Sequence, residues 1–198
     1  FHIGGAAQLN ETSHLESICD GTVEYRDVPT IMDKRGRRLS LARNGEIVVL
    51  DTEGRERAMH RVPYGTVLLH ENGGPVKEGE RLAEWDPFTL PIITETSGVV
   101  KYQDLIDSRT LTEQVDDATG MTSRVVTEDR SSSRSKKKED LRPRITLLDE
   151  SSGEAARYML APGAMLSVEE GQQVEAGEVL ARVSREAAKT RDITGGLP

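Results

Sequence analysis

The sequence predicts an all-β protein built as two copies of one module in tandem. Three observations carry that prediction: a long stretch recurs in register, turn residues recur at short intervals, and almost no segment sustains a helical period. The recurring stretch is Val76-Lys77-Glu78-Gly79-Glu80-Arg81-Leu82-Ala83-Glu84-Trp85, which returns as Val174-Glu175-Ala176-Gly177-Glu178-Val179-Leu180-Ala181-Arg182-Val183. The match runs backwards without a gap, pairing Gly65 with Gly163, Leu68 with Leu166, Glu71 with Glu169 and Gly73 with Gly171. Ile47-Val48-Val49-Leu50-Asp51 pairs with Ile145-Thr146-Leu147-Leu148-Asp149 in the same register. Gly21 to Val28 matches Gly98 to Leu105 at a shorter spacing, so the second copy carries an insertion between its first and second strands. A repeat of this kind decides the fold before any local reading does.

In chain order, residues 8 to 16 are polar and read as a short helical or irregular lead-in. Ile18, Gly21, Val23 and Tyr25 alternate as a strand does. Asp33-Lys34-Arg35-Gly36 reads as a hairpin turn with glycine supplying a positive φ. Arg38 to Arg43 and Glu46 to Asp51 read as strands joined by Asn44-Gly45, the strongest short hairpin signal. Thr52 to Arg55 is another turn, Arg57 to Val62 alternates, and Thr66 to His70 is a further strand. Turn signals about every 8 to 12 residues suit a sandwich or barrel. Gly73 and Gly171 are expected to be positive-φ corners, and Val-x-x-Gly-Glu-x-Leu-Ala places a turn ahead of a short strand.

Composition narrows the function. The 198 residues carry a formal charge of −8, with 4% aromatic, 35% apolar and 30% charged residues, so each module has a small core and much solvated surface. A net negative balance argues against a dedicated nucleic-acid-binding domain. Cys19 is the single cysteine, which excludes an internal disulfide, fits a reducing compartment and reads as a small apolar residue. No apolar run is long enough to span a membrane, no signal peptide is evident, and the absence of an initial Met suggests a segment of something longer.

The Gly-cornered repeat resembles the barrel-sandwich hybrid folds of biotinyl and lipoyl carrier domains, over Gly65 to Tyr102 and Gly163 to Val183. A carrier attaches its prosthetic group to a lysine at a hairpin tip. Here the first such tip, Trp85 to Pro91, has no lysine, and Lys189 lies past the expected place in the second. The carrier alternative therefore lacks its amine.

The two ends point elsewhere. Phe1-His2-Ile3-Gly4-Gly5-Ala6 and Asp192-Ile193-Thr194-Gly195-Gly196-Leu197-Pro198 resemble the two arms of the trigger loop of the bacterial RNA polymerase β′ subunit. Val62-Pro63-Tyr64-Gly65, Trp85-Asp86-Pro87 and Asp140-Leu141-Arg142-Pro143 agree with that family. The likeness implies a lineage-specific insertion of two sandwich-barrel hybrid modules within a moving loop. It divides the chain into a first arm and tether (1–15), module one (16–92), module two (93–186, with a mobile loop over 127–140) and a tether with the second arm (187–198).

The resemblance also implies chemistry. His2 matches the trigger-loop histidine that approaches the phosphates of the incoming nucleoside triphosphate. Phosphoryl transfer rests mostly on positioning and charge stabilisation, and an imidazole can donate a hydrogen bond or a proton near neutral pH. The family's Mg2+ and Zn2+ sites fall outside these residues. Implied partners are the β, α, ω and σ subunits, with DNA template and RNA product through the whole enzyme, in the bacterial cytoplasm. Polymerase activity belongs to that assembly and not to the isolated chain; a docking module for protein or downstream DNA is the competing class.

The remaining polar residues read more plainly. His14, His60 and His70 are too scattered to suggest a metal set. Asp116-Asp117 and Glu169-Glu170 are adjacent, so on a strand they face opposite sides and read as solvated charges. Thr127 to Glu139 is Ser-rich and polar, reads as a mobile linker, and offers its cations to DNA phosphate only weakly.

Overall fold

The computed structural model describes residues 13–129 and 140–185. The arms containing His2 and Lys189, and most of the Ser-rich tract, lie outside them. Within the described residues the chain is all-β, with four antiparallel sheets, two in each of two compact units. No described helix is long and apolar enough to cross a membrane.

The first unit has nine strands: β1 (His14–Glu16), β2 (Gly21–Arg26), β3 (Thr30–Met32), β4 (Arg38–Ser40), β5 (Gly45–Asp51), β6 (Glu56–Val62), β7 (Val67–Leu68), β8 (Pro75–Val76) and β9 (Arg81–Glu84). They form one sheet in the order β1-β9-β7-β4-β3 and another in the order β6-β5-β2-β8. The second unit has β10 (Thr89–Ile93), β11 (Gly98–Gln103), β12 (Leu111–Val115), β13 (Thr122–Val126), β14 (Arg144–Asp149), β15 (Gly153–Met159), β16 (Met165–Leu166), β17 (Gln173–Val174) and β18 (Val179–Ser184). Its sheets run β10-β18-β16-β13-β12 and β15-β14-β11-β17, the same two orders strand for strand.

The repetition reaches the irregularities. The β1–β9 ladder slips between Leu15 and Glu16, and β10–β18 slips at the matching place, between Ile92 and Ile93. The β5–β6 and β14–β15 ladders slip at Val49/Leu50 and Leu147/Leu148. Bulges re-aim a strand, so their recurrence reflects a shared path of the chain. The expected corners are present, with φ of 81° at Gly73 and 86° at Gly171.

Each unit encloses its own apolar cluster. Val23, Ile47, Val49, Val76 and Leu82 fill the first, and Val100, Ile145, Leu147, Val174 and Leu180 take the corresponding places in the second. The alternation of strand residues puts these on the inner faces, and Leu82 and Leu180 are both fully buried.

Four expectations are corrected. Asn44-Gly45 is not a hairpin turn, because β4 and β5 lie in different sheets and the chain crosses between them there. Gly45 is required for another reason: a β-carbon would meet the Val28 and Ala42 side chains at 2.6 and 2.7 Å. The lead-in at 8–16 is in part strand, since His14–Glu16 pairs with β9. The boundary falls between Phe88 and Thr89, not at 92/93, because Thr89–Ile93 pairs with β18. The loop expected at 127–140 is anchored at its start. The Thr127 N–H donates to the Thr110 carbonyl at 2.8 Å, and Asp129 pairs with Arg109 at 2.9 Å.

Two turns of the first unit share the pattern Asp-x-x-Gly-Arg. Asp33 accepts the N–H groups of Arg35 and Arg37, each at 2.9 Å, and the Arg37 Nε at 2.8 Å. Asp51 accepts those of Glu53 and Arg55, each at 2.9 Å, and the Arg55 Nε at 3.2 Å. Burial works against ionisation of Asp33, but the hydrogen bonds from Arg37 and Arg35 outweigh it and hold the carboxyl below its usual range. The Arg55 N–H does most to lower Asp51. A depressed folded-state pKa stabilises fully above the unfolded value of ~3.9, and that contribution fades as pH falls through the folded one. In urea titrations, Asp33→Asn with Asp51→Asn is expected to be less stable than the parent at pH 7. The gap should begin to narrow below about pH 4 and close only as pH falls through the depressed folded-state values; a gap constant across that range would show that charge at these turns is irrelevant.

Candidate functional site

The two units share a second device besides their corners. The half-buried Tyr25 of β2 donates its hydroxyl to the His70 carbonyl at 2.5 Å, and Tyr102 of β11 donates to the Val168 carbonyl at the same distance. Burial raises both phenols above their ordinary pKa. Each fastens the segment before a Gly corner onto the central strand of the opposite sheet.

In the first unit this fastening borders an open groove of about 360 Å³, lined by residues that include Met32, Arg37, Arg38, Leu69, His70 and Glu84. Arg38 Nη1 also donates to the His70 carbonyl, at 3.1 Å. The His70 ring presents Nε2 to the Arg81 carbonyl at 3.0 Å, with a Glu80 carboxylate 3.6 Å away. A nitrogen facing a carbonyl oxygen must carry the proton, so this edge of the imidazole is a donor and not a base. The described lining of the groove is mixed, with Met32, Val67 and Leu69 beside Arg37, Arg38, His70, Glu71 and Glu84.

The three described histidines are not brought together. His14 faces Glu16 at 3.2 Å, His60 lies on β6 opposite Ile47, and His70 sits in the groove. Among the described residues no group of three or more His, Cys, Asp or Glu side chains is arranged to hold a metal ion. Asp116 lies at the turn after β12, where its carboxylate accepts the Ala118 N–H at 2.8 Å. The Glu169 N–H is held by Gln172 at 3.0 Å. Both acid pairs belong to turns. Trp85 to Phe88 joins β9 of one unit to β10 of the other, so the hairpin tip that a carrier would use is absent there.

Sequence reasoning missed the most informative geometry. The first and last strands of each unit are neighbours. His14 pairs with Glu84, and the Trp85 N–H donates to the Ser13 carbonyl at 2.9 Å. Thr89 pairs with Ser184 in the second unit. Entrance and exit are therefore side by side in each unit, with Asp86-Pro87-Phe88 as the connector. The signal lay in the match of Leu15-Glu16 to Ile92-Ile93, which has too little side-chain identity to be seen. No protein-family model matches the chain.

Proposed function

We propose that the chain is a pair of barrel-sandwich hybrid modules inserted in the trigger loop of a bacterial RNA polymerase β′ subunit, where it modulates loop closure, elongation, pausing and transcript cleavage without itself catalysing. The observation that carries this reading is the adjacency of entrance and exit in each unit. A module whose ends lie together can be spliced into a host loop without forcing the flanks apart, and the entropy of a longer loop rises only slowly. The terminal sequence arms agree with it. A module that moves with the loop biases closure by any contact it favours in one position. A differential of ~1.4 kcal/mol changes the population ratio tenfold.

On this reading His2 acts at the nucleotide phosphates of the assembled enzyme, while the modules act through the equilibrium. In the complete polymerase, deleting residues 8 to 190 and rejoining the flanks is expected to preserve basal nucleotide addition and alter pausing. Substituting His2 is expected to slow addition itself. Loss of addition on deletion, with the enzyme assembled, would contradict the division of roles.

A further inference from the structure

We propose that the β3–β4 hairpin is a contact for the phosphodiester backbone of a nucleic acid. Its turn reads Lys34-Arg35-Gly36-Arg37-Arg38, four cations in five residues, on a chain whose formal charge is −8. The one carboxylate in the loop, Asp33, is spent internally: it accepts two backbone N–H groups and the Arg37 Nε, and its side chain is only 9% exposed. Lys34 and Arg35 stand exposed at the tip. Among the described residues the Arg35 guanidinium makes no ion pair.

The loop is also set in advance. The Asp33 N–H donates to the Arg37 carbonyl and the Gly36 N–H to the Asp33 carbonyl, both at 3.0 Å, with Gly36 at a φ of 77°. Binding therefore orders little more than the cationic side chains, which limits its entropic cost. Glu71 and Glu84 line the groove beside Arg37 and Arg38, so the anion seat is the tip and not the groove.

The duplicate shows that the fold does not require this charge. The corresponding β12–β13 hairpin turns through Asp116-Asp117-Ala118-Thr119-Gly120 and exposes Val115 and Met121. One framework carries a cationic tip in one copy and an acidic, apolar tip in the other. Protein interfaces seat Trp, Tyr and Arg anchors in desolvated pockets. Residues 34 to 38 offer no aromatic side chain, and Lys34 and Arg35 stand in solvent, whereas a phosphate backbone needs only positive charge at suitable spacing. The contact is independent of sequence and does not rest on the polymerase reading.

The test is an amide-resolved NMR titration of the 198-residue chain with a mixed-sequence DNA duplex at low salt. The expected result is shifts centred on residues 33 to 38. With two to three phosphates engaged, affinity should fall about ten- to fortyfold between 50 and 200 mM salt. Lys34→Ser with Arg35→Ser should abolish the response while the remaining spectrum stays that of the folded parent. The absence of shifts at low salt, or shifts centred elsewhere, would overturn the proposal. Equal or tighter binding of poly-glutamate would overturn it in favour of an acidic protein.

Discussion

Gly21→Ala is expected to unfold the first unit and leave the second intact. Gly21 opens β2 and is paired on both sides, with Asp51 of β5 and Val76 of β8. A β-carbon there would stand 1.8 Å from the Leu50 carbonyl oxygen and 2.8 Å from its carbon. Both are backbone atoms of the central strand, so relief requires that β2 and β5 separate. That sacrifices the ladder holding Val23 and Ile47 in the core, and the cost should exceed about 3 kcal/mol. Two glycines calibrate the result. Gly36 has a φ of 77° with nothing near its would-be β-carbon, so Gly36→Ala should cost only about 1–2 kcal/mol of backbone strain. Gly98, the duplicate of Gly21, has its nearest contact at 2.9 Å, to the Leu148 oxygen, and should be intermediate. Calorimetry is expected to show two transitions, because each unit has its own apolar cluster. A parental first transition in Gly21→Ala would show that β2 does not lie as described.

Truncating the two corresponding leucines should give matched, separable losses. Leu82 and Leu180 are each fully buried at the centre of their clusters. Removal of a buried leucine side chain costs about 2–5 kcal/mol, from lost transfer energy and the cavity left behind. Leu82→Ala should lower the urea midpoint of the first unit only, and Leu180→Ala that of the second only. Phe88→Ala provides the contrast, since Phe88 is 69% exposed and its loss should stay within about 0.5 kcal/mol. If either leucine variant shifted both transitions equally, the two cores would not be independent.

Much of this architecture was legible in the chain. Positive-φ corners tolerate glycine best, so the pairs Gly73/Gly171 and Gly79/Gly177 mark register even where neighbouring side chains have diverged. Alternation likewise marked β2 as a strand, whereas β5 is a continuous apolar run with Ile47, Val48 and Val49 all buried. Partner choice was hidden, because a period of two says which way side chains point but not which strand lies alongside. Asn44-Gly45 shows this: the dipeptide favours a tight hairpin, yet the chain passes from one sheet to the other there. β1 was hidden by its composition, His14-Leu15-Glu16, in which one apolar residue suffices because β9 supplies the ladder. The cationic tip was visible only as a turn. Its meaning emerged once Asp33 was seen to be consumed within the loop and the second copy was seen to carry opposite charge. The assignment to His2 rests on the terminal sequence alone, since that residue lies outside the described ones.

The joined first and last strands have a mechanical consequence. Tension applied through the flanks of either unit enters at His14 and Glu84, or at Thr89 and Ser184, which are partners at the same end of a ladder. Such a load peels hydrogen bonds one after another and never shears them together, so each unit yields first at its mouth while its core is still closed. Built this way, each module offers its terminal ladder first to whatever pulls on it.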